Sequence, residues 1–381
     1  MLDTKKSLRM LPIHLINPRA DKERSINVGE ELESLIKTLG GEVVDRIVQK
    51  LDSPDNGTYI GKGKVLEVTE RIKEKDIDVV VLNAAVKPRQ VHALKTAFQT
   101  VNPQIDVWDR IDLILHIFDK HAVTSEAKLQ IELARMRYMG PRIYGMGYVM
   151  SQQGGGIGTL GAGETNTELM RRHWRNEIKK VADQLEKISK NREQQLEQRK
   201  RSGFKTISIV GYTNAGKSSL FNLLTGKKTL VENVLFATLD STVGKMYIPQ
   251  IQQEALVTDT IGFIRNLPPR LISAFKSTLI ESIHADILIH VIDMSDAEYQ
   301  IKINVVNDIL RELGRTVEDS VYVFNKIDQV ENVDKDVMER IYGQYSPLFI
   351  SVKTGEGIDT LRESIAARLV ADTREKTVTN P

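Results

Sequence analysis

The sequence predicts an α/β protein built around a phosphate-binding loop. Three observations carry that expectation. A strand–loop–helix signature fitting G-x-x-x-x-G-K-[ST] occupies residues 204–224. Strand-like and helix-like patterns alternate through the first hundred residues. Between about 106 and 203, two long apolar stripes at helical spacing read as a helical hairpin.

The bounds set by composition agree. A chain of 381 residues has room for two or three domains. It is 41% hydrophobic and 27% charged, as in a globular protein. A net charge of +2 means that any nucleic-acid affinity must come from a local patch. The absence of cysteine excludes disulfides and thiolate metal sites and fits a reducing cytosol. No apolar signal region or run of membrane-spanning length is found, so a cytoplasmic protein without membrane insertion is expected.

Residues 1–105 are expected to form the N-terminal α/β subdomain. Met10 to Ile16 reads as a strand, and Gly29 to Leu39 as a helix stopped by Gly40-Gly41. Glu42 to Leu51 reads as one strand, Lys64 to Lys75 as a helix, and Val79 to Leu82 as a strand covered on both faces. Gln90 to Thr100 reads as another helix. Gly61-Lys62-Gly63-Lys64 lacks full phosphate-loop spacing, so a helix-capping turn is favoured there over an anion site.

Residues 106–203 are expected to form the hairpin. Its first helix is predicted unbroken over Asp109–Arg137, with Ile111, Leu115, Phe118, Ala122, Leu129, Leu133 and Met136 as its stripe. The second is predicted over Thr165–Arg199, with Trp174, Ile178, Val181, Leu185 and Ile188 on one face. Trp174 is read as a packing residue. The connection, Gly140 to Gly163, reads as a long loop containing the glycine-rich segment 154–163. Gly154, Gly155, Gly156 and Gly158 permit close backbone approach to a partner, against the alternative of a floppy linker. Beside them stand Arg171, Arg172 and Arg175, a basic cluster suited to RNA phosphates, against the alternative of a solvated helix face.

Residues 204–371 carry nucleotide-site boxes in order. Glycines Gly211 and Gly216 let the backbone N–H groups of Thr213, Asn214, Ala215 and Ser219 curl around phosphate oxygens at a helix N-terminus. Lys217 is assigned to the β- and γ-phosphates, and Ser218 to Mg²⁺. Asp259-Thr-Ile-Gly262 follows the strand Ala255–Val257; its Asp is assigned to Mg²⁺ through water and the Gly262 N–H to the γ-phosphate. Thr238, in Phe236-Ala-Thr-Leu-Asp240, is the candidate that closes on Mg²⁺ and γ-phosphate, with Thr242 as a fallback. Lys217, Thr238 and Gly262 are therefore the catalytic candidates.

Strands at Ile287–Ile292, Val321–Phe324 and Leu348–Ile350 complete the sheet. Asn325-Lys326-Ile-Asp328 follows the second of them. The Asp328 carboxylate can accept from guanine N1–H and N2–H₂, a donor pair adenine lacks. Asn325 is expected to help fix the base, Lys326 to pack on its rings, and Ser351-Val352-Lys353 to close over it. Four boxes at carboxyl ends of strands point to GTP and GDP as substrate and product. Phe263 stands where a Ras-like enzyme has the water-orienting glutamine. The nearby Arg265 and Arg270 are read as surface charges. A last helix is expected over Asp359–Ala371, with 372–381 as a disordered tail.

These motifs together resemble the HflX-type GTPases, a bacterial ribosome-associated family. The resemblance rests on Gly155-Gly-Ile-Gly158-Thr-Leu-Gly161-Ala-Gly163-Glu-Thr165 ahead of a basic helix, Gly211-Tyr-Thr-Asn-Ala-Gly-Lys-Ser-Ser-Leu220, Leu235-Phe-Ala-Thr-Leu-Asp240, Asp259-Thr-Ile-Gly-Phe263 and Asn325-Lys-Ile-Asp328. It spans about 10 to 370. It implies a P-loop GTPase domain preceded by the two regions above, with a hydrophobic residue in place of the catalytic glutamine. It also implies binding to the large ribosomal subunit and its 23S rRNA, with the hairpin tip near the peptidyl-transferase centre, and splitting of stalled ribosomes under stress. Leu160 and Ala162 depart from the basic residue and proline usual in the glycine loop. The expected protein is a cytoplasmic, partly ribosome-associated monomer. A large-subunit assembly GTPase and a regulatory switch with a protein effector remain open.

Overall fold

A computed structural model describes residues 7–19, 22–153, 162–228, 235–236, 241–265, 271 and 276–378. Two compact units divide the chain: Met1–Lys120 with Leu129–Asp183, and His121–Lys128 with Gln184–Pro381.

In the first unit, β1 (Arg9–Ile16), α1 (Lys22–Leu39), β2 (Glu42–Val43), β3 (Ile47–Lys50), α2 (Lys62–Lys75), β4 (Val79–Leu82), α3 (Pro88–Gln99) and β5 (Asp106–Asp109) alternate. The sheet is parallel, ordered β2-β1-β4-β5, with β3 also pairing with β1. All four residues of β4 are buried, as an apolar run without alternation requires of a central parallel strand. α1 stops at Gly40, whose φ of 88° is left-handed. The single strand expected over 42–51 is two short ones. Between them Asp45 turns outward to Arg71 (2.8 Å) and Lys75 (2.7 Å) on α2.

α4 (Arg110–His121), α5 (Ser125–Gln153) and α6 (Ala162–Arg201) follow. The one helix expected over 109–137 breaks at residues 122–124. There Thr124 Oγ1 accepts the Ala127 N–H (3.1 Å), a side-chain cap that starts a new helix. α5 then continues through Gly140, where a loop was expected. Trp174 Nε1–H donates to the Met136 carbonyl (2.9 Å), and Arg192 pairs with Glu126 (3.3 Å). Late residues of α6 thus meet early residues of α5, and the two helices run antiparallel. Trp174 is a hydrogen-bond donor as well as a packing group. Gly154, Gly155, Gly156 and Gly158 lie outside the described residues.

The second unit holds a six-stranded sheet. Its elements are β6 (Lys205–Gly211), α7 (Lys217–Thr225), β7 (Thr242–Ile248), β8 (Gln253–Asp259), α8 (Lys276–His284), β9 (Ile287–Asp293), α9 (Tyr299–Glu312), β10 (Val321–Asn325), α10 (Lys335–Tyr342), β11 (Leu348–Phe349) and α11 (Ile358–Val378). The order is β11-β10-β9-β6-β8-β7, parallel except for β7. α11 extends beyond the end expected at Ala371. Alternate apolar residues of β6, β8, β9 and β10, on one face of the sheet, join Leu220, Phe221, Leu361, Ile365 and Leu369 in one core. That core fixes the carboxyl ends of the strands along one edge, where four of the predicted boxes sit, after β6, β8, β10 and β11.

Candidate functional site

The phosphate loop leaves β6 at Gly211, whose φ is 151°. A Cβ there would lie 2.3 Å from the Val291 carbonyl oxygen of β9, so only glycine fits. Asn214 (φ 63°) and Gly216 (φ 96°) complete the curl into α7. A Cβ on Gly216 would come within 2.3 Å of Asn325 Nδ2.

Lys217 opens α7 and is buried, its Nζ donating to the Tyr212 carbonyl (2.9 Å). Burial pushes its pKa down to about 8, against the pull of Asp259. A buried ammonium held by one peptide oxygen is prepared for an incoming anion. Ser218 Oγ donates to Asp259 Oδ2 (2.6 Å), and Asp259 is almost wholly buried. Two hard oxygen donors at that separation match the ligand chemistry of Mg²⁺. Gly262 lies against the phosphate loop and Lys217: an added Cβ would meet Thr213 Cγ2 at 2.7 Å and Lys217 Nζ at 2.9 Å.

The base-reading end is braced by side chains. Asp328 Oδ1 accepts from Ser351 Oγ (2.6 Å), which aims the carboxylate. Asn325 ties protein segments together. Its Nδ2 donates to the Ala215 carbonyl (2.9 Å) and its Oδ1 accepts the Val352 N–H (3.1 Å), tying the phosphate loop to the 351–353 turn. Lys326 has a φ of 67°, and its Nζ pairs with Asp293 Oδ2 at the end of β9 (2.6 Å), which holds the stem in place. Val352 and Lys353 sit in that turn beside Ser351.

One expectation needs correction. Arg265 is not a surface charge. It is buried, and its guanidinium meets Glu298 at 2.6 Å. Phe263 is buried as well, its N–H donating to the Gly211 carbonyl (3.1 Å) and its carbonyl accepting the Thr213 N–H (2.8 Å). Thr238 and Arg270 lie outside the described residues; the fallback Thr242 begins β7. Arg171, Arg172 and Arg175 are exposed on α6.

Sequence reasoning missed Tyr212, Asp293, Glu298 and His290. Asp293 carried a signal, an acid at the carboxyl end of a predicted strand. His290 is buried in β9 beside the loop, and burial pushes its pKa down to about 3, with Lys217 adding to the effect.

Three family models match the chain: the GTP-binding GTPase N-terminal region over 27–119, the GTP-binding GTPase middle region over 121–199, and the 50S ribosome-binding GTPase over 206–326. The GTPase HflX of Caldanaerobacter subterraneus subsp. tengcongensis is 41% identical over 364 residues, covering 93% of this chain and 82% of its own. The chain belongs to the GTPase HflX family. The GTPase HflX of Lacrimispora saccharolytica is 43% identical, with 90% and 78% covered, and that of Escherichia coli K12 is 36% identical, with 92% and 81% covered. Among solved structures, SsGBP in complex with GDP is similar at 26% identity and a TM-score of 0.56, covering 96% of this chain and 99% of that one. A GTP-binding protein from Sulfolobus solfataricus in complex with GDP follows at 25% identity and a TM-score of 0.50, with the same coverage.

As an HflX-family protein, this chain binds GTP and hydrolyses it to GDP and phosphate. The structure gathers Gly211, Gly216, Lys217, Ser218, Asp259 and Gly262 around one loop and braces Asp328 with Ser351. Among the described residues no helix is long and apolar enough to cross a membrane.

Proposed function

We infer that this HflX-family GTPase is a cytoplasmic, monomeric factor that binds the large ribosomal subunit through 23S rRNA. Its role on this reading is to separate or rescue stalled ribosomes under stress. One observation carries it: the exposed arginines Arg171, Arg172 and Arg175 on α6, leading out of a glycine-rich segment, in a chain whose GTPase region matches the 50S ribosome-binding description. Arginine guanidinium groups neutralise RNA phosphates, and a glycine backbone can enter a narrow RNA cleft. Ser218 and Thr238 would hold Mg²⁺, with Asp259 acting through water, and the ion would neutralise phosphate charge.

Phe263 explains why a partner is needed. A buried phenyl ring cannot orient water. Intrinsic hydrolysis is then slow, and the docked subunit completes the site. The test is steady-state GTP hydrolysis by the protein alone and with purified large subunits, with a deletion of 154–163 in parallel. Strong stimulation that the deletion removes, and that weakens steeply with salt, is expected. Absence of stimulation with GTP still bound tightly would overturn the ribosome reading and favour a protein effector.

A further inference from the structure

Among the described residues, three hydrogen bonds fasten the peptide that carries Gly262 to the phosphate loop, one of them through a side chain. Phe263 and the loop exchange two backbone bonds: Phe263 N–H to the Gly211 carbonyl (3.1 Å) and Thr213 N–H to the Phe263 carbonyl (2.8 Å). The third runs from the Arg265 N–H to the Tyr212 hydroxyl oxygen (2.8 Å), and it is buried. Tyr212 occupies a loop position whose side chain has no task in cradling phosphate. Its ring is nonetheless clamped. Lys302 Nζ lies 4.8 Å from the ring centroid, itself paired with Asp296. Arg265 in turn is anchored by Glu298, the residue before α9, at 2.6 Å, with side chains only 9% and 12% exposed.

We propose that Tyr212 is a positioning residue for GTP hydrolysis, holding the 262–265 peptide against the phosphate loop through its hydroxyl, with Glu298 and Arg265 as the anchor behind it. Gly262 has no side chain to be held by, and its place beside Lys217 depends on the segment that follows it. The two backbone bonds fix residue 263. The hydroxyl fixes residue 265 and so suppresses rotation of the peptide about that first pair. An oriented N–H contributes to the transition state only if its orientation is set before charge develops. The tyrosine hydroxyl is a distinct device because it binds the peptide without entering the phosphate cradle.

Tyr212→Phe removes the hydroxyl and keeps the ring and its lysine. Single-turnover GTP hydrolysis by the full chain, with no ribosomes present, is expected to slow about fivefold, the worth of one buried hydrogen bond. Affinity for GDP should stay within about twofold, so the loss falls on kcat and not on binding. Glu298→Gln is expected to slow hydrolysis less, and the double variant no more than Tyr212→Phe alone, because both act through one peptide. Unchanged or faster hydrolysis in Tyr212→Phe would overturn the proposal. Equal loss of GDP and GTP affinity would also overturn it, by reducing Tyr212 to loop packing. Omitting ribosomes keeps this outcome independent of the partner reading.

Discussion

The described residues form two sheets, parallel but for β7, and their carboxyl edges are built on different plans. In the first unit, side chains at that edge bind one another. His14 Nδ1 lies 3.2 Å from Asn83 Nδ2, Asn83 Oδ1 accepts from Arg110 Nη1 (2.9 Å), and Arg110 meets Glu31 at 3.1 Å. Asp109 accepts the N–H groups of Val86, Ile111 and Asp112. In the second unit side chains also pair at that edge, but its phosphate loop turns through left-handed residues and its buried lysine rests on a peptide carbonyl. A polar edge whose charges neutralise one another acts as a strut. An edge that holds a desolvated charge in reserve is a binding site, and it gives up folding stability to be one.

Substitutions should therefore separate function from stability, edge by edge. The largest effect is expected from Asp328→Asn. Loss of the acceptor for guanine N1–H and N2–H₂ should weaken GDP binding on the order of 10⁴-fold. Affinity for xanthine nucleotide should rise, since a xanthine C2 oxygen accepts from an amide but not from a carboxylate. Competition with a fluorescent nucleotide measures both, and unchanged guanine preference would break the base assignment.

Next is Arg110→Leu. Both tryptophans, Trp108 and Trp174, lie in the first unit, so tryptophan fluorescence reports its unfolding alone. Breaking a buried ion pair should cost this unit about 4 kcal/mol in urea titration, with GDP affinity unaltered. A loss of GDP binding larger than the loss of stability would erase the distinction between the two edges.

The smallest effect is acid sensitivity at His14. Burial, with Arg46 and Arg110 adding to it, pushes its pKa from 6.5 down to about 4. The unfolded chain takes up that proton first as pH falls. Stability present above pH 6.5 is therefore lost between 6.5 and 4, by about 3 kcal/mol. His14→Gln should flatten that part of the fluorescence-monitored profile. Parallel profiles for the two proteins would show that other groups carry the acid response.

Much of the nucleotide edge was legible because ligand chemistry fixes residue types at short spacing. Gly211, Gly216, Lys217, Ser218, Asp259 and Asp328 all announce themselves within a few residues of a strand end. Their supports did not. Glu298 reaches Arg265 and Asp293 reaches Lys326 across more than thirty positions, contacts that topology creates and spacing does not encode. Arg265 looked like a surface charge because its partner is distant in sequence. The hairpin failed differently. An apolar stripe through Phe118, Ala122 and Leu129 runs unbroken past the cap at Thr124, so periodicity alone hid a helix start. Gly140 suggested a loop, yet a glycine inside a helix costs only about 1 kcal/mol, too little to end one.

β9 supplies no residue assigned to the nucleotide, yet it shapes several of those that are. Its Val291 carbonyl forbids a side chain at Gly211, its His290 fills the space behind the loop, and its Asp293 secures Lys326. The phosphate loop is consequently not a portable cassette. Moved to another scaffold with every glycine intact, residues 211–219 would lack the strand that gives them their shape. Conversely, a designer who wished to retune nucleotide affinity without altering any contacting residue could work from β9 alone.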